Sequence, residues 1–253
     1  MIFINKPVII PPKLFEFQTS MLDCLGTYGS FDRIPKEELN SFIKGYSHEA
    51  VKIPLFNCNH QKCSYCEGIP SGSKLRVDHF FPKKLYPELT LDWDNLLPSC
   101  ENCNRHKSSH DTNTEPIINP SKIDPFPYFD FDFIWMIPAV DSPDLVLTKR
   151  TIDVCNLNRR ELVKSRADLL VDLTTYQKDM NFALLELDEP MSDLKIKNRI
   201  IRLEESLEII EEMAQDTEKF SAYIKKFIEK SIYIQEVISQ IKNIKEEYEE
   251  LFS

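Results

Sequence analysis

No apolar run in this 253-residue sequence approaches the roughly 20 residues that a helix needs to cross a bilayer, so no membrane segment is predicted. The opening stretch MIFINKPVIIPPKLF has no basic n-region and no small-residue cleavage site, and Pro7, Pro11 and Pro12 interrupt its apolar part. It is therefore not read as a signal peptide, and the expected location is the cytoplasm. Internal repeats and low-complexity tracts are absent as well. So is a basic stripe: 31 Lys and Arg stand against 41 Asp and Glu, a formal net charge of −10. A protein that grips nucleic acid unaided usually carries a basic face. Seven cysteines, an odd number, are too few and too scattered for a secreted disulfide scaffold, in a chain long enough to bury a core of its own.

Four of those cysteines have metal-ligand spacing. Cys63/Cys66 and Cys100/Cys103 form two CxxC pairs, and in a reducing compartment such thiolates favour closed tetrahedral coordination of Zn²⁺. Cys24, Cys58 and Cys155 remain; Cys58 could join the site, but a free buried thiol is the favoured reading. The two pairs enclose Arg76-Val77-Asp78-His79 and Trp93-Asp94-Asn95-Leu96-Leu97, and Asn104 follows the second pair directly. Asp78 and Asn104 offer hard oxygens suited to Mg²⁺ or Mn²⁺. His79 is the candidate general base for hydrolysis of a phosphodiester. Asn95 can fix an imidazole or a loop backbone through its carboxamide, or it can cap a short helix begun by Leu96 and Leu97. If Asp78 and His79 lie on a strand, alternation sends them to opposite faces, so a local bend must bring both to one site. Arg76, Lys83, Lys84, Arg105 and Lys107 are the candidate nucleic-acid contacts. Lys107 has the alternative of a solvated cation at a helix end. Residues 58–110 are nearly balanced in charge, with Lys62, Lys74, Arg76, Lys83, Lys84, Arg105 and Lys107 against six acids.

At Asp78-His79, Asn95 and the string CENCNRHK the sequence resembles the HNH endonuclease family. The resemblance implies a ββα-metal module, a two-stranded ribbon and a helix around one catalytic ion. By motif position Asp78 and Asn104 correspond to metal ligands, His79 to the general base and Asn95 to the central asparagine. The last family position is often His; here His106 and His110 are nearby alternatives, though neither follows the last cysteine. KCSYCEG, VDHFFPK, LDWDNLLPSCENCNRHKSS and RTIDVCNLNRRELVKSR are further similar to the HNH nuclease subunit of Septu-type anti-phage systems, also found beside some retrons. That likeness implies an ATPase partner. Segment 113–150 offers no family landmark.

The expected fold class is mainly α, with a small ββα-metal module stapled by a four-cysteine zinc site and a helical C-terminal region. Four regions are expected: a helical lead-in over 1–57, the nuclease module over 58–112, a Pro- and aromatic-rich connection over 113–150, and a helical tail over 151–253. In the lead-in, Lys36 to Tyr46 places Leu39, Phe42, Ile43 and Tyr46 on one helical face. In the connection, Phe129, Phe131 and Phe133 alternate with acids, which predicts a strand whose rings serve packing rather than base stacking. In the tail, 159–187 has few breakers before Pro190, Ser192 is a candidate N-cap for a helix to about Met213, and Asp216 or Thr217 caps a long final helix. That helix places Phe220, Ile224, Phe227/Ile228, Val237/Ile238, Ile241, Ile244, Tyr248 and Leu251 at three- and four-residue steps. The tail's apolar stripe covers the chain's own core or docks a partner. The functional expectation is a metal-dependent endonuclease acting on DNA within a defence complex with an ATPase. A zinc-stapled, non-catalytic adaptor and an RNA-directed nuclease are the alternatives.

Overall fold

A computed structural model describes residues 1–70, 75–188 and 191–247. The chain divides into two compact units, one of residues 1–130 and 136–159 and the other of 131–135 and 160–253. The regions expected over 1–57, 58–112 and most of 113–150 are thus one body, extended by residues 151–159. Lys74, Pro190, Tyr248 and Leu251 lie outside the described residues.

The first unit opens with three helices. α1 (Pro12–Tyr28) starts with a proline at its first position, where a missing N–H costs nothing. It stops at Gly29, whose φ of 77° lets its N–H turn back to the Leu25 carbonyl. α2 (Lys36–Ile43) follows Pro35 and carries Glu37 and Glu38 in its first turn, the sign that suits the positive end of a helix dipole. α3 (Glu49–Asn57) is capped by the His48 ring, which accepts from the Ala50 N–H. Leu14 and Met21 of α1, Phe42 of α2, and Val51 and Leu55 of α3 pack with Leu91, Trp93 and Leu96 into one hydrophobic core. The lead-in therefore supplies much of the apolar interior on which the cysteine-framed segment rests.

β1 (Arg76–His79) and β2 (Leu96–Ser99) form an antiparallel ribbon in which Asp78 faces Leu97 and His79 faces Leu96. Leu96 and Leu97 do not begin a helix. Asn95 instead closes a single 3₁₀ turn, Trp93–Asn95, and the side chain that caps that turn is Asp92, accepting from the Asp94 N–H at 3.0 Å. A short apolar run is ambiguous in sequence, and pairing with β1 decides it for a strand. α4 (Glu101–Lys107) follows directly, with the Cys100 sulfur at its N-cap. β3 (Phe129–Asp132) and β4 (Trp135–Pro138) form a second ribbon, and α5 (Leu145–Val154) is capped by Asp144, accepting from the Leu147 N–H.

The second unit is built from α6 (Arg160–Leu185), α7 (Asp193–Met213), α8 (Ser221–Lys230) and α9 (Ile232–Glu247). Leu169 and Leu173 of α6, Ile200 and Leu203 of α7, Ile224 of α8, and Val237 and Ile241 of α9 are buried. Ser192 stands at the N-cap of α7, although its hydroxyl makes no capping bond. The single long final helix expected from Asp216 or Thr217 is two helices. The chain breaks at Ser231, whose hydroxyl accepts from the Ile234 N–H and donates to Gln177, and a serine cap of this kind starts a new helix. Phe131 packs edge-on to Tyr223 at 4.8 Å and Phe133 stands in the following turn, so the phenylalanine run serves as packing and turn. Among the described residues no helix is long and apolar enough to cross a membrane.

Candidate active site

Asp78 is buried on β1. Its Oδ2 accepts from the Tyr65 hydroxyl at 2.6 Å and its Oδ1 from the Lys107 ammonium at 3.3 Å. Burial pushes the Asp78 carboxyl above its ordinary range, against Lys107 and Tyr65, which hold it down. The same ammonium lies 3.3 Å from Oδ2, so after these contacts it is Oδ1 that keeps a further lone pair. Lys107 also donates to the His79 carbonyl at 2.6 Å, and its side chain is fully buried. The expectation of a phosphate contact at Lys107 is thereby corrected. Its ammonium is spent inside the module, where a carboxylate and a carbonyl satisfy it.

His79 ends β1. Its Nε2 lies 2.9 Å from the Thr90 carbonyl, so that nitrogen carries the proton and Nδ1 holds the lone pair. Burial lowers its pKa to about 4, and Lys83 and Lys107 add to that shift while the Thr90 bond opposes it. The neutral imidazole meets the ring of Tyr46 edge-on at 4.6 Å. Asn95 holds the intervening loop from inside. Its Oδ1 accepts from the Phe81 N–H at 2.7 Å, and its amide donates to the carbonyls of Phe81 and Leu89 at 3.0 Å each. Three bonds from one buried side chain fix the segment that carries Thr90, and Thr90 in turn orients His79. Asn95 thus spends its carboxamide on the loop backbone.

Asp78, His79 and Asn104 line one pocket of about 580 Å³. Alternation along a strand would send the adjacent Asp78 and His79 to opposite faces, yet both line this pocket. Asn104 brings an amide oxygen from the first turns of α4. A carboxylate and an amide oxygen, flanked by open volume, are a donor set that suits a hard divalent ion keeping positions for water and phosphate. Arg76, Lys83 and Lys84 line the same pocket. Arg105 does not; it is exposed and donates to Asn102. His106 sits against Asn156 and His110 against Glu115, both outside the pocket lining. Tyr46, Ser47 and Lys52 reach the pocket from the lead-in, and the Tyr46 hydroxyl accepts from Lys83 at 2.8 Å. None of these three was singled out from the sequence as a site residue, because no local spacing links them to Asp78.

The sulfurs of Cys63, Cys66, Cys100 and Cys103 lie within 4.8 Å of one another. Thiolates around a tetrahedral zinc ion stand about 3.8 Å apart, and Cys66 and Cys100 are 3.9 Å apart. The group could hold zinc. Cys58 is not part of it: its thiol donates to the Leu55 carbonyl, and burial pushes it up to about 11. The Arg159 guanidinium donates to three of the four sulfurs, Cys103 at 3.4 Å, Cys100 at 3.7 Å and Cys66 at 3.8 Å. Such N–H···S bonds spread the negative charge of a four-thiolate centre. The run RTIDVCNLNRR contains Arg159, but its sequence position gave no sign of this contact.

Residues 63–110 match the family model for HNH endonucleases. The chain is 36% identical over 129 residues to Septu protein PtuB of Bacillus thuringiensis, covering 50% of this chain and 48% of that protein. It is 28% identical over 205 residues to Septu protein PtuB of Bacillus mycoides, covering 68% of this chain and 64% of that one. A 44-residue stretch is 43% identical to Protein ea31 of Escherichia phage lambda, covering 17% of this chain and 14% of that protein. The chain thus spans about half of one and 64% of the other of these two curated Septu relatives.

Proposed function

We propose that this chain, whose residues 63–110 are an HNH endonuclease domain, hydrolyses phosphodiester bonds of DNA with the help of one Mg²⁺ or Mn²⁺ ion. The observation that carries this reading is the meeting of Asp78, His79 and Asn104 on one pocket rimmed by Arg76, Lys83 and Lys84. Asp78 and Asn104 would hold the ion, and Cys63, Cys66, Cys100 and Cys103 would hold a structural Zn²⁺. When bound, the hard ion offsets charge on the phosphoryl and leaving oxygens. His79 Nδ1 takes the proton from the attacking water, while the Thr90 carbonyl keeps the ring in the required tautomer. Arg76, Lys83 and Lys84 draw the phosphodiester to the mouth of the pocket. The test is incubation of the purified full chain with plasmid DNA and with RNA, in Mn²⁺ or Mg²⁺. Cleavage of RNA alone would replace the substrate, and cleavage of neither, with or without a partner, would favour an adaptor.

Two further expectations follow from the ligand assignment. Asp78→Ala and Asn104→Ala each raise the Mn²⁺ concentration for half-maximal cleavage by an order of magnitude or more and leave zinc content unchanged, since the zinc site is made of sulfur. A divalent-ion titration with parallel metal analysis checks this. An Asn104→Ala protein that titrates like wild type would withdraw the second ligand.

The chain's place is a cytoplasmic anti-phage complex with an ATPase. The likeness to two proteins named for Septu supports that reading, and so does the charge. A chain of net charge −10 repels a polyanion, over about one Debye length of roughly 8 Å at physiological salt. Few exposed cations surround the pocket, too few for many phosphate contacts. The helical second unit, for which no chemistry is assigned, is the proposed docking surface for the ATPase. The chain alone is expected to cleave plasmid poorly at physiological salt, and to cleave at least about tenfold faster when purified with its ATPase. Equal rates with and without the ATPase would remove the partner from the mechanism.

A further inference from the structure

Tyr65 lies between Cys63 and Cys66, inside the first cysteine pair, and its side chain is wholly buried. A buried phenol needs a partner for its hydroxyl. The partner is Asp78, at 2.6 Å, within the short range typical of a hydroxyl donating to a carboxylate. The turn that carries Tyr65 is itself pinned. The Ser64 N–H donates to the Pro98 carbonyl at 2.8 Å, Cys63 donates to Gly68, and Glu67 donates back to Cys63. Pro98 is the β2 residue paired with Val77, next to Asp78 on β1. The first cysteine turn and the Asp78 carboxylate are thus registered to the same ribbon.

The second cysteine pair reaches Asp78 by another route. Cys100 and Cys103 open α4, and Lys107 at its last turn donates to Asp78 Oδ1 and lies 3.3 Å from Oδ2 as well. Asn104 follows Cys103 directly and lines the pocket beside Asp78. The carboxylate is therefore held from both cysteine pairs, by Tyr65 on Oδ2 and by Lys107 beside both oxygens. With Oδ2 on Tyr65, rotation that carries this oxygen away from the phenol breaks a buried hydrogen bond.

We infer that Tyr65 is a positioning residue for the ion ligand Asp78, and that through it the four-cysteine centre sets the geometry of the hard-ion site. The inference rests on the reading of Asp78 as an ion ligand given under Proposed function. Groups that orient a metal ligand from outside typically change ion affinity by about 10–100-fold when removed. Tyr65→Phe keeps the ring and its packing and deletes only the donor.

The experiment is Mn²⁺ binding to the zinc-loaded full chain without nucleic acid, followed by calorimetry, for wild type, Tyr65→Phe and Asp78→Asn. Zinc content and melting temperature are recorded on the same samples. Tyr65→Phe is expected to keep one equivalent of zinc and to bind Mn²⁺ about 10–100-fold more weakly. In cleavage, its half-maximal Mn²⁺ concentration rises by a similar factor, while turnover at saturating Mn²⁺ recovers to within a few fold. A merely structural tyrosine would lower the melting temperature and leave the Mn²⁺ midpoint in place, and that result overturns the inference. If Asp78→Asn abolishes Mn²⁺ binding while Tyr65→Phe binds as wild type, only the positioning role falls. If Asp78→Asn also binds as wild type, the ligand assignment itself falls, and the inference with it.

Discussion

Replacing His79 with alanine leaves a folded, zinc-loaded protein whose cleavage rate drops by about 10²–10⁴, the usual loss when a general base is removed. The ring makes one hydrogen bond, to the Thr90 carbonyl, and one edge contact, to Tyr46. Losing them costs about 1–3 kcal/mol for the carbonyl left without its donor, against a typical total stability of about 5–15 kcal/mol. The fold therefore survives while the proton acceptor is gone. The four sulfurs take no part in holding the ring, so zinc content stays at the wild-type level. Single-turnover cleavage, with circular dichroism and metal analysis on the same preparation, checks the result. Near-normal turnover would strip His79 of its role and leave the pocket without an imidazole, because His106 and His110 do not line it.

The parts of this site that were legible in the sequence are those whose chemistry demands close spacing. A four-thiolate centre is made from two local pairs, so Cys63/Cys66 and Cys100/Cys103 announce themselves. Asp78, His79 and Asn104 were legible through the string they share with a known family, and the pocket gathers all three. What holds them was not legible. Tyr46, Tyr65, Thr90 and Arg159 reach His79, Asp78 and the sulfurs across separations of 11 to 93 residues, and no periodicity encodes such contacts.

Lys107 shows how a correct local reading can still misplace a side chain. A lysine at the end of a short helix is usually solvated, and its position beside a nuclease motif points to phosphate. Here two acceptors inside the module, Asp78 and the His79 carbonyl, satisfy the ammonium fully enough to bury it. Ser231 illustrates the converse. The tail's apolar steps run on without Gly or Pro, so one helix was expected where two occur. The signal was present as a serine three residues before Ile234, a helix-starting cap that the stripe obscured. The lead-in misled in a third way. Its helices read as a separate region, yet their apolar faces close on Leu91, Trp93 and Leu96 of the nuclease segment.

That shared core bears on the consequence of removing a zinc ligand. Cys103→Ser is expected to yield protein that loses zinc and is recovered insoluble, or that melts far below wild type. Cys103 is fully buried, and the four sulfurs lie within 4.8 Å of one another, a cluster that could hold a metal ion and to three of whose sulfurs the Arg159 guanidinium donates. Structural zinc contributes on the order of 10 kcal/mol of apparent folding free energy in small modules, which is comparable with the whole stability of a domain. The helices α1–α3 do give the module an apolar interior of its own, so the loss need not unravel them. Its first effect falls on the segment from Cys63 to Gly68 and on α4, which hold Asp78 from both sides. Activity is therefore expected to vanish even in any fraction that stays in solution. Thermal melts and zinc analysis of Cys103→Ser beside wild type decide the matter. A zinc-free wild-type protein with an undiminished melt, or a Cys103→Ser protein that keeps both zinc and the wild-type melt, would show that the four sulfurs do not staple this fold.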